Sequence, residues 1–92
     1  MIYTYTIALM READGGFSVS VPALPGCATQ GDSLEESLAN AREAIQGYVE
    51  SLILDGEPVP ADSGEYALEV DEPTEVIVRR VTAETREALA PA

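Results

Sequence analysis

The chain contains no histidine, no lysine and no tryptophan, and its one cysteine is Cys27. Each absence removes a class of chemistry. With no histidine to take its proton and no lysine to depress its pKa, Cys27 makes a poor nucleophile and is expected to be a buried structural thiol. One cysteine permits neither an intrachain disulfide nor a cysteine-rich metal site, and it suits a reducing compartment. Positive charge is scarce too: five basic residues, all arginine, stand against 17 acidic ones, a formal charge of −12. That balance repels a polyphosphate, so direct nucleic-acid binding is disfavoured, and Arg79 with Arg80 is too small a basic patch to reverse it. No apolar run approaches the roughly 20 residues that cross a bilayer. The opening Met1-Ile2-Tyr3-Thr4 lacks the basic start and apolar block of a secretion signal. A soluble, cytoplasmic protein without membrane contact is expected, and 92 residues leave room for one domain with one modest core.

What is present is pattern. Tyr3, Tyr5, Ile7 and Leu9 alternate with Ile2, Thr4, Thr6 and Ala8, the two-residue period of a strand over Ile2–Met10. Arg11 to Gly16 supplies hairpin chemistry, with Asp14, Gly15 and Gly16 suited to a left-handed backbone. Phe17, Val19 and Val21 alternate with Ser18 and Ser20 in a second strand, ended by Pro22. After the rigid Pro22-Ala23-Leu24-Pro25-Gly26 connection, Ala28–Gln30 reads as a short third strand. Ser33 and Glu36 then form a capping box, in which the hydroxyl caps a helical N–H and the Glu side chain reaches back to the cap residue. Leu34, Leu38, Ala41, Ile45, Tyr48, Val49 and Leu52 make one apolar stripe along a helix over Leu34–Leu54, and Asp55-Gly56 stops it. Tyr66 to Val70 reads as a possible short strand. Val76–Val81 is rich in β-branched residues and is expected to be the last strand. Thr82 is placed as the cap of a final helical turn over Glu84–Leu89. The organisation expected is one domain over residues 1–81 and a short tail over 82–92.

Tyr3–Leu9, then Gly16 to Pro22, then Leu24-Pro25-Gly26-Cys27-Ala28-Thr29-Gln30-Gly31-Asp32-Ser33-Leu34-Glu35-Glu36-Ser37-Leu38 together resemble the HicB family of bacterial antitoxins, over roughly the first 55 residues. The resemblance implies an α+β fold of three antiparallel strands, one long helix and a further strand, a partial RNase H-like arrangement in the same order as the residue patterns. It implies a partner, HicA, a small basic ribonuclease toxin, and an activity, inhibition of that toxin by binding. It implies a homodimer or a dimer of dimers. Many members add a C-terminal DNA-binding module, for which the eleven residues after Val81 are too few, so operator binding is not carried over.

No catalytic, metal or cofactor site emerges. A nuclease of the RNase H type needs an acidic residue within its first strand, and that strand here offers Tyr, Thr, Ile, Ala and Leu. Glu36 and Glu43 share a helix without an acidic strand partner and read as solvated charges. Asp14-Gly15-Gly16 leads into a strand, not a helix, and does not grip phosphate. Tyr3, Tyr5 and Tyr48 sit on apolar stripes and read as core or subunit-contact residues. The Leu24-Pro25-Gly26-Cys27 loop supports two readings equally, a contact element or a turn that orders the third strand. The residues expected to meet a partner are Leu24, Pro25, Asp32, Glu35 and Glu36. The leading reading is a non-enzymatic antitoxin-type protein that covers a basic toxin, and the alternative is a stand-alone oligomeric binding or structural module with no toxin.

Overall fold

Alternation in the first residues produces β1 (Ile2–Arg11), which turns back at Glu12–Gly16 into β2 (Phe17–Ser20). The turn is closed by Glu12 N–H donating to Gly16 O at 2.8 Å and by Gly15, whose φ of 94° requires glycine. Asp14 contributes through its carboxylate, which accepts the Gly16 N–H at 3.0 Å; among the described residues only glycines take positive φ. β3 (Ala28–Gly31) follows, then α1 (Leu34–Leu54) and β4 (Val76–Glu84). In this computed structural model residues 1–62 and 75–86 are described. The possible strand at Tyr66–Val70 lies outside them.

The strands form one antiparallel sheet in the order β3-β2-β1-β4, with α1 laid across one face. Tyr5, Ile7 and Leu9 of β1, Phe17 and Val19 of β2, and Val81 and Ala83 of β4 bury that face against Ala41, Ile45 and Val49 of α1. Burying one such aliphatic side chain contributes roughly 1.5–3 kcal/mol. Leu34, Leu38, Ala44, Tyr48 and Ile53 complete the helical stripe as partly buried residues. The stripe ends on Ile53 where the spacing had pointed to Leu52, because Ile53 continues the four-residue row of Ala41, Ile45 and Val49.

The helix begins where the capping pattern places it. Ser33 Oγ accepts the Glu36 N–H at 3.1 Å, while Glu36 Oε1 accepts the Asp32 N–H at 3.3 Å, one residue before the cap instead of on it. It ends in a Schellman arrangement: Glu57 N–H donates to Leu52 O at 2.9 Å and Gly56, with φ 70°, donates to Ile53 O at 3.1 Å.

The last strand departs from the sequence reading. β4 runs through Glu84, so Val81 lies inside it and Thr82 is a strand residue, not a helix cap. The cause is β1, which meets β2 only from Ala8 to Arg11 but meets β4 from Ile2 to Met10. This long template extends the ladder to Thr4 opposite Thr82 and Ile2 opposite Glu84, with the two threonine hydroxyls 2.9 Å apart. Of the helical turn expected at Glu84–Leu89, residues 87–89 lie outside those described.

Candidate partner-binding site

The acidic end of the molecule is built by the β3-to-α1 junction. Gly31 allows it: a Cβ there would sit 2.6 Å from Ser37 N and 2.8 Å from Ser37 Cα, so only glycine lets the strand end press against the first helical turn. Ser37 is fully buried, and its hydroxyl donates back to Ser33 O at 2.7 Å. Asp32, Glu35 and Glu36 are therefore held around one helix N-terminus, all exposed, where the helix dipole favours negative charge. No arginine forms an ion pair with them among the described residues; the salt bridges there are Arg11 to Glu75 and Arg86 to Glu50.

The turn expected to share in contact is divided. Leu24-Pro25-Gly26-Cys27 is a type II turn, closed by Cys27 N–H donating to Leu24 O at 2.9 Å with Gly26 at φ 80°. Leu24 is 0% exposed, so its side chain belongs to the core and offers a partner no surface. Pro25 is exposed, and its carbonyl accepts the Tyr48 hydroxyl at 2.7 Å, which ties the turn to α1. Tyr5 is buried in the core and its hydroxyl donates to Pro60 O. The Cys27 thiol is buried, and that burial pushes its pKa up, the reverse of what a nucleophile needs.

Sequence reasoning missed two features. A groove of about 490 Å³ lies between the β3 side and α1, lined by Cys27, Ala28, Asn40, Glu43, Ala44 and Gly47. Its signal was present, since residues 40, 43, 44 and 47 share one helical face and two of them are Ala and Gly. The second is Glu50, buried at the far end of α1. Arg86 gives it a backbone N–H at 2.9 Å and a guanidinium nitrogen at 3.0 Å, and these bonds hold its carboxyl below the ordinary range. Among the described residues no group of three or more Cys, Asp or Glu is placed to hold a metal ion, and no helix is long and apolar enough to cross a membrane.

Known proteins resemble this chain in sequence and in fold. A UPF0150 protein of Synechocystis sp. is 49% identical over 61 residues, covering 66% of this chain and 77% of that protein. A toxin-antitoxin complex from Streptococcus pneumoniae contains a chain that superposes with a TM-score of 0.79 at 19% identity, over 91% of this chain and 70% of that one, a likeness of fold. The Burkholderia pseudomallei antitoxin HicB superposes with a TM-score of 0.69 at 27% identity, over 95% of this chain and 65% of its own length. The family model described as HicB_like antitoxin of bacterial toxin-antitoxin system matches residues 5–86. With the sheet order, the helix and the match all spanning the same stretch, this chain belongs to the HicB-like antitoxin family.

Proposed function

We propose that this chain is an antitoxin-type binding protein that inhibits a small, basic ribonuclease of the HicA type by covering it. The observation that carries this reading is the set of carboxylates, Asp32, Glu35 and Glu36, held at the start of α1 on a HicB-like scaffold with no ion-pair partner among the described residues. A ribonuclease concentrates positive charge where RNA lies, and a rigid acidic edge competes for that charge while neighbouring apolar contacts exclude water. Inhibition by occupancy needs no catalytic group, cofactor or metal. The surface that attracts such a toxin repels nucleic acid itself, and the work is done in the cytoplasm.

Pro25, held by Tyr48 well along α1, extends the contact surface along the β3 side away from the acidic edge. Self-association as a homodimer or a dimer of dimers belongs to the same reading. Ile2 and Val78 are 68% and 48% exposed, and the register puts both on the sheet face turned away from α1, where a second copy can cover them.

The test is inhibition of RNA cleavage by a HicA-type toxin encoded beside this gene, titrated with the purified chain across a salt series. Stoichiometric inhibition is expected, with affinity falling as salt rises and self-association strengthening, since screening removes attraction in one case and repulsion in the other. Replacing Asp32, Glu35 and Glu36 together by Asn and Gln should weaken binding by about tenfold or more. Full toxin activity at saturating chain would sink the reading. A gene with no such neighbour, in a protein that is a stable oligomer, would favour the stand-alone module.

A further inference from the structure

We propose that the open edge of β3 is a docking site for an extended, arginine-bearing segment of a protein partner, which joins the sheet as a fifth strand. The kind of partner follows from the antitoxin-type reading above, and the place follows from β3 itself. Val21 N–H donates to Cys27 O at 3.1 Å, and the register sets Val19 opposite Thr29 and Phe17 opposite Gly31. Bonded and non-bonded pairs alternate along an antiparallel ladder. The Cys27 carbonyl and the backbone groups of Thr29 and Gly31 therefore turn toward β2, while Ala28 and Gln30 turn theirs outward. Asn40 Nδ2 donates to the Gln30 carbonyl at 2.8 Å from the helix side, which agrees with that direction and covers one end of the edge. The N–H and C=O of Ala28 and the N–H of Gln30 are left without a protein partner among the described residues.

Two cavities flank this edge. The groove of about 490 Å³ lies between it and α1. A second, of about 280 Å³, shares Cys27 and Ala28 with the first but is lined by Ser20 and Pro22 and by no α1 residue. Ser20 and Ala28 are cross-strand partners on the sheet face turned away from α1. Ser20 Oγ is buried there without a hydrogen-bond partner among the described residues. Successive side chains of a strand point to opposite faces, so an added strand sends alternate residues into the two cavities while its backbone takes the three open groups. This is strand addition to a sheet edge, with backbone bonds supplying affinity and the cavities supplying selection.

Charge chooses the occupant. Glu43 lines the larger groove, and Asn40 supplies a second polar group beside it. Arg42, next in sequence, is turned toward the other side of the helix, where its Nε donates to Thr82 O at 3.0 Å. An arginine entering the groove meets Glu43 without a competing cation among the described residues. A second copy of this chain brings its own acidic helix to the same edge and is disfavoured by like charge.

The decisive measurement is a titration of the isotope-labelled chain with an acetylated, amidated hexapeptide alternating arginine and valine, followed by amide resonances. Ala28 and Gln30 should shift together, and the same peptide N-methylated along its bonding edge should leave them in place. Gly47→Leu fills the groove without disturbing the fold: a Cβ at Gly47 meets nothing within 4 Å, and leucine is the better helix former. It should weaken the peptide by about tenfold or more, and Glu43→Gln by about threefold with the salt dependence reduced. Unmoved Ala28 and Gln30 resonances at saturating peptide, or equal affinity in Gly47→Leu, would overturn the strand-addition site. Shifts at this edge that grow with protein concentration alone would assign it to a second copy and overturn it too. The toxin assay separates this outcome from the broader reading: a Gly47→Leu chain that still inhibits the toxin fully rejects only the site, whereas peptide binding without toxin inhibition rejects only the antitoxin role.

Discussion

The two ends of α1 are anchored by different means. At its start the contacts are local: Ser33 caps Glu36, Ser37 bonds Ser33, and Gly31 lies against Ser37. At its finish a local glycine cap is joined by distant contacts: Glu50 holds Arg86, and beyond the helix Tyr5 holds Pro60 and Met1 O receives the Thr85 N–H. A local joint closes small loops at little entropic cost, while a distant one must bring together segments that the unfolded chain keeps apart. The first joint is consequently written in short words of sequence. The distant contacts of the second are written in none, because their partners recognise each other only after the sheet exists.

The largest expected effect falls on the element both joints share. Ile45→Ala should cost about 2–5 kcal/mol by leaving a cavity between helix and sheet, whereas Leu38→Ala, at a partly buried position, should cost clearly less. Equal denaturant midpoints for the two variants would show that the helix face is rotated from the one described. Next comes the local joint. Gly31→Ala forces β3 and α1 apart against backbone atoms of Ser37 and should cost about 1–3 kcal/mol; an unchanged thermal midpoint would mean that the junction is looser than its geometry.

A smaller loss, about 1 kcal/mol, is expected for Ser33→Ala, with glycine at the same position losing only a few tenths. Chemical denaturation of the pair reads the cap directly, and identical losses would assign the effect to something other than the hydroxyl. The distant joint should show itself least in size and most in pH dependence. Glu50 has its carboxyl held below the ordinary 4.5 by the Arg86 backbone and guanidinium. A group with a depressed folded pKa contributes fully above its unfolded value and loses that contribution as pH falls through the folded one. Glu50→Gln should therefore remove part of the acid-side fall in stability, below about pH 4.5, and leave the slope near neutrality unchanged. Parallel acid limbs in the two proteins would break the assignment.

What could be read from the sequence follows the same division. The three leading strands, the hairpin, the cap at Ser33 and the full extent of α1 were legible, since alternation, turn residues and capping chemistry act within a few residues. β4 was legible at Val76 but not at its end. Thr82 carries the chemistry of a helix cap, and only the pairing with Thr4, 78 residues away, makes it a strand residue. Glu50 was illegible for the same reason, its partner lying beyond β4. At the candidate site Asp32, Glu35 and Glu36 stand exposed as their composition suggested. Leu24 does not, because a proline-glycine turn directs its side chain inward, and the β3 groove needed the packing of α1 before it existed.

The register of β1 with β4 also has a mechanical side. The two strands are antiparallel neighbours, and Met1 meets Thr85 where the chain enters and leaves the sheet. A pull applied at Met1 and Arg86 loads the ladder at one end and opens it one hydrogen bond at a time, as a zipper opens, instead of shearing all its bonds together. Resistance to force is set by the barrier along the pulling direction and not by the free energy of folding. An enzyme that drags on these ends meets a seam, while the joint between β3 and α1, far from both grips, gives way only after the seam has opened.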